Sequence, residues 1–348
     1  MSFKNYYKSC GLGLALLFSA LCAAARDGVA VVVDVVSYDK ARAELNDYVK
    51  ALEQKQGYKV YVVVDRWQVP DSIRAELMAL HTQKHDAIVG AVLVGDIPVP
   101  MVRDAQYLTS AFKMDQTVNR RESSVPSDRF YDDFSLRFRP LGKDDTLPYY
   151  YYSLTAEGAQ KLSPDIFSGR IRPTDAGGTS RYDKLRAYLR KATAAKLNPE
   201  RFRSVFVFTG DGSISESMPA HIDEFRGLME HFPQLAATPE AFSYMNYDDA
   251  TPIRFRMMNE MMRPDLSLAM LHHHGDWDTQ YLNMRTNDNL TINEIQKWGF
   301  RPNARCVVFD ACFNGSFHRD DCIANEYIFS NGKTVATLAG SVNIIQDK

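Results

Sequence analysis

The chain has 348 residues, of which 45% are apolar and 11% aromatic, and its formal net charge is −2. This composition excludes an intrinsically disordered chain and is typical of an ordinary folded protein. The near-neutral charge gives no reason to expect binding to nucleic acid or to an anionic membrane surface.

Met1 to Ala25 has the pattern of a secretory signal peptide. Two lysines precede an apolar run from Gly11 to Leu21, and an Ala-x-Ala exit follows. The run is too short to span a bilayer, which disfavours the alternatives of a membrane anchor or a buried N-terminal strand. We therefore expect cleavage before Arg26. The mature protein would be secreted, periplasmic or on the cell surface, with no membrane span.

The mature length favours two subdomains, because single hydrophobic cores stop growing at about 250–300 residues. In the first part of the chain, short apolar runs alternate with amphipathic stretches, which predicts half of a doubly wound α/β sheet. The predicted strands are Val29–Val36, Tyr58–Val64 and Ile88–Val94, and the predicted helices are Tyr38–Gln56 and Asp71–His81.

Between Met101 and Leu162 this alternation gives way to charged and aromatic sequence. A long stretch without recognisable elements is typical of a functional loop or an insertion. We place the boundary between an N-terminal α/β subdomain, 26–160, and a second subdomain, 161–348, near its end. The alternation then resumes with predicted strands at Ser204–Phe208, Phe242–Tyr247 and Thr334–Leu338 and helices at Ser217–His231, Pro252–Met262 and Ile323–Phe329.

Two further apolar runs, Leu266–Leu271 and Cys306–Phe309, flank a predicted helix at Thr291–Trp298. This arrangement predicts a right-handed βαβ unit, whose parallel strands end at the same edge of the sheet. His274 follows the first run and Cys312 follows the second. We therefore expect them to be neighbours in space, as a thiol nucleophile and its base must be.

The motifs at these strand ends resemble those of caspase-like cysteine peptidases. The resemblance lies in an apolar run followed by His274-Gly275 and another followed by Asp310-Ala-Cys312, while Cys312-Phe-Asn-Gly315 resembles the gingipain branch in particular. Upstream segments agree in order: Val94–Pro98, Pro126–Tyr131 and Asp165–Ile171. The resemblance implies a caspase-like α/β fold of open, mostly parallel sheets flanked by helices, in two side-by-side α/β subdomains.

The resemblance also implies an exported cysteine endopeptidase that acts on protein or peptide substrates without an organic cofactor. Cys312 would be the nucleophile and His274 the base that later protonates the leaving amine. The backbone N–H groups of Gly275 and Cys312 would form the oxyanion hole. Asp165 would orient the imidazole, although Asp stands here where better-known members carry Glu. Asp310 suits substrate binding or structure better than proton transfer.

Strand alternation places His272 on the same face as His274 and His273 on the opposite face, so both extra histidines are expected to pack or to support the base. The alternative is a metal site made by the three histidines with Asp276 and Asp278. The opposite orientation of adjacent side chains on a strand disfavours it. Related enzymes carry structural calcium, and acidic loops such as Asp132-Asp133 are candidate ligands here.

Two other activities stay open from the sequence. A transpeptidase would pass the acyl group to an amine, in the manner of a sortase, and a binding module would retain the fold without turnover. Of the cysteines beyond the signal peptide, Cys306, Cys312 and Cys322, an odd number implies at least one free thiol. Cys312 is the best candidate, while a bridge between Cys306 and Cys322 stays open.

Overall fold

The structure is a computed structural model that describes residues 26–105, 108, 115–212, 226–231, 233, 241–249 and 251–344. The predicted signal peptide lies outside these ranges. So does most of the predicted helix Ser217–His231, of which 226–231 is described and helical. Every helix in the described ranges is too short or too polar to cross a bilayer.

The first half of the chain forms two four-stranded sheets and their helices. In chain order, the elements are β1 (Gly28–Asp34), α1 (Val35–Lys40), α2 (Arg42–Lys55), β2 (Lys59–Asp65), α3 (Pro70–Thr82), β3 (Ile88–Val94), β4 (Val99–Arg103), β5 (Val125–Pro126), α4 (Arg129–Asp132), β6 (Phe138–Lys143), β7 (Tyr149–Leu154), β8 (Phe167–Ile171) and α5 (Arg181–Leu197). The first sheet is parallel, in the order β2-β1-β3-β8. Its central strand β1 is buried along its whole length, as expected for a parallel strand covered on both faces.

The predicted helix Tyr38–Gln56 is two helices that meet at Ala41. The first begins at Val35, inside the predicted strand, because the Asp34 carboxylate accepts hydrogen bonds from the backbone N–H groups of Val36 and Ser37. Asp34 is therefore a helix N-cap that stops β1 earlier than its apolar sequence indicates.

The stretch from Met101 to Leu162 is not a long loop, which corrects the prediction from sequence. It contributes the second sheet, in the order β5-β4-β7-β6, with β7 parallel to β4 and antiparallel to β6. The run Tyr149–Tyr152 lies within β7, where five of the six residues are buried, so its sequence shows no alternation of apolar and polar residues. Since β8 pairs with β3, the first sheet also extends past residue 160, where we had placed the boundary.

The second half is built on a parallel five-stranded sheet in the order β10-β9-β11-β15-β16. Its elements are β9 (Val205–Thr209), β10 (Phe242–Asn246), α6 (Ile253–Met261), β11 (Leu268–His272), β12 (His274–Asp276), β13 (Thr279–Asn283), β14 (Asp288–Thr291), α7 (Ile292–Trp298), β15 (Cys306–Asp310), α8 (Ile323–Phe329) and β16 (Ala336–Ala339). Strands β12, β13 and β14 form a small antiparallel sheet between β11 and α7. The predicted class of open, mostly parallel sheets flanked by helices is confirmed.

The main core of this half packs against one face of the two strands that deliver the candidate residues. Phe206 and Phe208 of β9, Leu271 of β11 and Phe309 of β15 are buried in one cluster with Tyr327 of α8. The predicted parallel pairing is present, with Leu268 beside Cys306 and His272 beside Asp310. This register brings the ends of β11 and β15 to the same edge of the sheet.

Candidate active site

Three strand ends meet at this edge: Gly210 after β9, His273 after β11 and Ala311 after β15. The Gly210 N–H donates to the carbonyl of His272 over 2.7 Å, and the His273 N–H donates to the carbonyl of Asp310 over 3.4 Å. The backbone connections therefore continue beyond the strands and hold the three following loops side by side.

His274 is exposed at the start of β12, and its imidazole contacts the loop after β9. The Nε2 atom lies 3.2 Å from the carbonyl oxygen of Gly212. Because a carbonyl only accepts hydrogen bonds, this contact requires the proton on Nε2 and leaves Nδ1 with its lone pair in the neutral ring. This contact could not be predicted from the sequence, because the partner is a backbone atom 62 residues away.

Cys312 is partly buried in the loop after β15, and its sulfur contacts the backbone of Ile344. The Ile344 N–H donates to Sγ over 3.4 Å, and the Ile344 carbonyl oxygen lies 3.6 Å from the same sulfur. A backbone donor at this distance stabilises negative charge on sulfur. No hydrogen bond joins Cys312 to His274 in this structure, since the thiol faces Ile344 and the imidazole faces Gly212.

The loops that carry the two residues are nevertheless in direct contact at Gly275. A Cβ atom added at Gly275 would lie 2.6 Å from the Cys312 carbonyl oxygen and 2.7 Å from Asn314 Nδ2. The buried Asn314 amide donates to the carbonyls of Asp276 (2.6 Å) and Thr279 (3.1 Å), and so clamps the Cys312 loop to the hairpin of β12 and β13. Asn314 lies within the motif Cys312-Phe-Asn-Gly315, but that motif did not predict its hydrogen bonds between the two loops.

The N–H of Cys312, one of the two predicted oxyanion donors, makes no hydrogen bond to any described residue. Gly275, which would supply the other donor, lies opposite Gln280 in the hairpin. The contact at Gly275 thus brings both backbone segments of the predicted oxyanion hole together.

His272 and His273 point to different partners, as strand alternation predicts. His272 Nδ1 lies 3.0 Å from Asp310 Oδ2, so this pair joins the ends of β11 and β15. His273 is fully buried, where its Nδ1 lies 2.8 Å from the His274 carbonyl and its Nε2 3.0 Å from the Gln280 amide nitrogen. Burial lowers the pKa of His273 to about 4, so this ring is neutral near pH 7.

The metal alternative gains no support from this geometry, because the three imidazoles do not converge on one point. In the described ranges no three His, Cys, Asp or Glu side chains are grouped as metal ligands. Asp133 accepts from Ser135 Oγ and the Ser163 N–H, and Asp132 pairs with Arg129, so protein donors already contact the acidic loop considered for calcium.

Asp165 makes no hydrogen bond to His274 in this structure, and its orienting role stays a prediction. Its carboxylate accepts a hydrogen bond of 2.7 Å from the Phe134 N–H, and its own N–H donates to the Asp132 carbonyl. These bonds hold Asp165 against the loop after α4, in the first half of the chain. In this structure the Gly212 carbonyl is the group that hydrogen-bonds to the His274 imidazole.

The three cysteines within the described residues are free thiols, so Cys306 and Cys322 do not form the bridge that the sequence left open. Burial raises the pKa of Cys306, and that of Cys322 to about 12. A neutral buried thiol is a poor nucleophile, because the thiolate is the reactive form. Of the three, only Cys312 lies at the sheet edge among the candidate residues.

Comparisons with known proteins concern the family and the fold. The family model named peptidase family C25 matches residues 27–348. No curated protein sequence matches the chain. The crystal structure of the Arg-specific cysteine proteinase gingipain R (RgpB) is similar, with 16% identity, a TM-score of 0.53 and coverage of 91% of this chain and 63% of that one. The complex of Porphyromonas gingivalis RgpB pro- and mature domains gives 15%, 0.55, 91% and 64%. This chain spans less than two thirds of either chain, and the likeness shows a shared fold.

Proposed function

The chain belongs to peptidase family C25, and from this membership we propose that it is a cysteine peptidase with Cys312 as nucleophile and His274 as base. The observation that carries the proposal is the contact at Gly275. It places the backbone after His274 directly against the carbonyl of Cys312. Two reactive side chains on adjoining, clamped loops are the arrangement that nucleophilic catalysis requires.

In this mechanism the hydrogen bond from His274 Nε2 to the Gly212 carbonyl selects the tautomer. Nδ1 then accepts the thiol proton of Cys312. The thiolate attacks the scissile carbonyl, and the N–H groups of Gly275 and Cys312 receive the developing oxyanion. The imidazolium next protonates the leaving amine, and water hydrolyses the thioester.

Formation of the dyad requires a change in side-chain conformation, because Cys312 and His274 face different partners in the structure. Catalytic hydrogen bonds commonly shorten only when substrate is bound. In this proposal, substrate in the groove replaces Ile344 as the neighbour of the sulfur, and the thiol turns toward the imidazole. The orienting group is the Gly212 carbonyl in place of Asp165.

We further propose that the protein is exported and acts on protein or peptide substrates. Export is supported by the charged, apolar and small-residue segments of Met1 to Ala25. N-terminal sequencing of the protein recovered outside the cytoplasm should find Arg26 as the first residue. An N-terminus at Met1 would contradict the proposed cleavage.

The dyad is tested by replacing Cys312 with Ala and digesting denatured, fluorescein-labelled casein. Cys312→Ala should abolish digestion, whereas Cys306→Ala, at a half-buried free thiol at the start of β15, should retain it. Full activity of Cys312→Ala would refute the cysteine mechanism.

Mass spectrometry of the products with an added amine separates hydrolysis from acyl transfer. A wild-type protein that folds and neither cleaves casein nor reacts with iodoacetamide at Cys312 would be a binding module.

A further inference from the structure

Gln280 is a polar side chain that is completely buried on β13, between the hairpin and helix α8. Its side-chain amide forms hydrogen bonds to neighbours on both sides. The Tyr327 hydroxyl donates to Gln280 Oε1 over 2.8 Å, and Gln280 Nε2 lies 3.0 Å from His273 Nε2. His273 Nδ1 then lies 2.8 Å from the His274 carbonyl oxygen. We call this series, from Tyr327 through Gln280 and His273 to the His274 carbonyl, the histidine relay.

The histidine relay has one consistent direction. The His274 carbonyl can only accept, so His273 Nδ1 must carry the proton and His273 Nε2 must accept. The Gln280 amide therefore presents its NH₂ to His273 and its oxygen to Tyr327. If the Gln280 amide were turned round, its oxygen would face His273 Nε2, which is also an acceptor. Moving the ring proton to Nε2 would relieve that contact but would leave Nδ1 without a proton for the His274 carbonyl. Since burial lowers the pKa of His273 to about 4, the ring stays neutral and the direction holds near pH 7.

The elements joined by the histidine relay are those that carry the proposed dyad. Helix α8 supplies Tyr327. It also binds the hairpin through the Ile323 N–H, which donates to the Trp277 carbonyl, and the Cys312 loop through the Ala324 N–H, which donates to the Asn314 carbonyl. One helix is thus hydrogen-bonded to both loops. The histidine relay ends on the backbone of His274 itself.

Packing leaves the relay little freedom to shift. A Cβ atom added at Gly210 would lie 2.8 Å from His273 Cβ, so the loop after β9 lies close against the base of this side chain on one side. Phe309 of β15 and Tyr327 pack edge to face at 4.9 Å on another. Buried polar networks in which every group is bonded are rigid, because any displacement leaves an unpaired group in a low-dielectric interior.

We propose that Tyr327, Gln280 and His273 are positioning residues that fix the backbone carbonyl of His274, and with it the imidazole, relative to Cys312. The inference rests on the proposed roles of His274 and Cys312. A carbonyl held at a defined point fixes the peptide plane next to the base. An apolar side chain at 273 would fill the same volume without fixing that plane.

The test compares His273→Leu, which removes the donor, with His273→Asn, whose side-chain NH₂ can stand in for Nδ1–H. Tyr327→Phe removes only the first hydroxyl. Tyr188→Phe, on α5, is the matched control, because the Tyr188 hydroxyl also donates one hydrogen bond of 2.8 Å, here to the Val335 carbonyl, away from the hairpin. For each variant, kcat and KM on labelled casein and the second-order rate of Cys312 alkylation by iodoacetamide are measured, with circular dichroism to establish folding.

His273→Leu should lower kcat and the alkylation rate by about a hundredfold at nearly constant KM, the cost of a misplacement of about 1 Å in an active site. Tyr327→Phe should lower both in the same direction by a smaller factor, and His273→Asn should recover most of the loss. If His273→Leu does not fold, the proposal is tested by comparing kcat and the alkylation rate of Tyr327→Phe with those of Tyr188→Phe.

Wild-type kcat and alkylation rate in folded His273→Leu and Tyr327→Phe would overturn the proposal, as would an equal loss in Tyr188→Phe. Failure of the proposed function looks different, because the wild-type protein would then not digest casein. The ratio of alkylation rates would still decide whether the relay positions His274 beside Cys312.

Discussion

Gly275→Ala should move the two loops of the site apart without removing any of the proposed catalytic side chains. The added Cβ would lie 2.6 Å from the Cys312 carbonyl oxygen, whereas ordinary contact begins near 3.4 Å, so the loops must part by about 0.8 Å. Overpacking of this kind costs about 1–3 kcal/mol of stability. A shift of about 1 Å between reacting groups can cost about a hundredfold in rate. We therefore expect kcat/KM to fall by roughly that factor in a protein that still folds.

The assay is digestion of labelled casein at a temperature where circular dichroism shows the variant to be folded. Gly169→Ala is the matched control, because an added Cβ on that strand meets nothing within 4 Å. It should leave both activity and the free energy of unfolding nearly unchanged. A Gly275→Ala protein with wild-type kcat/KM would refute the view that the contact at Gly275 sets the distance between the dyad residues.

Three further predictions concern individual side chains. Among the adjacent histidines, His274→Ala should lower the rate by several orders of magnitude and His272→Ala by much less, and equal losses in both would point to a shared metal. Asp165→Asn should leave kcat nearly unchanged, because the carboxylate bonds to a backbone N–H in the first half of the chain; a large fall in kcat with a normal melting temperature would restore its orienting role. Burial lowers the pKa of His273 to about 4 and of His318 to about 3, so both bind protons on unfolding, and stability should fall as the pH drops below about 6.5. The slope should approach about 1.4 kcal/mol per pH unit for each residue, and His318→Gln should reduce it in urea titrations at stepped pH.

The regular elements were predictable where the core dictates the pattern. Strands such as Ile88–Val94 and Cys306–Asp310 are short buried runs, and their predicted bounds agree with the structure within about one residue. The strands between Met101 and Leu162 were not predictable. In β7, for example, tyrosines of the strand itself are buried on both of its faces, so its sequence shows no alternation of apolar and polar residues. The break at Ala41 was missed because the sequence continues with good helix formers.

The candidate site divides along the same line. His274 and Cys312 are side chains at strand ends, and parallel pairing brings such ends together whatever the loops do. The Gly212 carbonyl and the Ile344 N–H are backbone groups, which every residue carries, so no sequence pattern distinguishes them. The contacts of Asp165 could not be predicted for a related reason. A motif gives a residue's position along its strand but not the N–H group that its carboxylate will meet.

The unequal anchoring of the dyad decides which group moves when the site closes. The Cys312 loop is held on one side by Asn314 and on the other by the segment after β16, where the Phe313 N–H donates to the Val342 carbonyl and the Gly315 N–H to the Gly340 carbonyl. Its backbone therefore cannot approach His274 without breaking several hydrogen bonds, each worth about 1 kcal/mol. Rotation of a side chain between staggered rotamers breaks far fewer. The thiol can turn away from Ile344 by such a rotation, and the exposed imidazole can swing about its own bonds. Under the proposed mechanism, closure of the dyad is thus a side-chain movement on a fixed backbone, which is why the contacts that fix that backbone, at Gly275 and along the histidine relay, should control the rate.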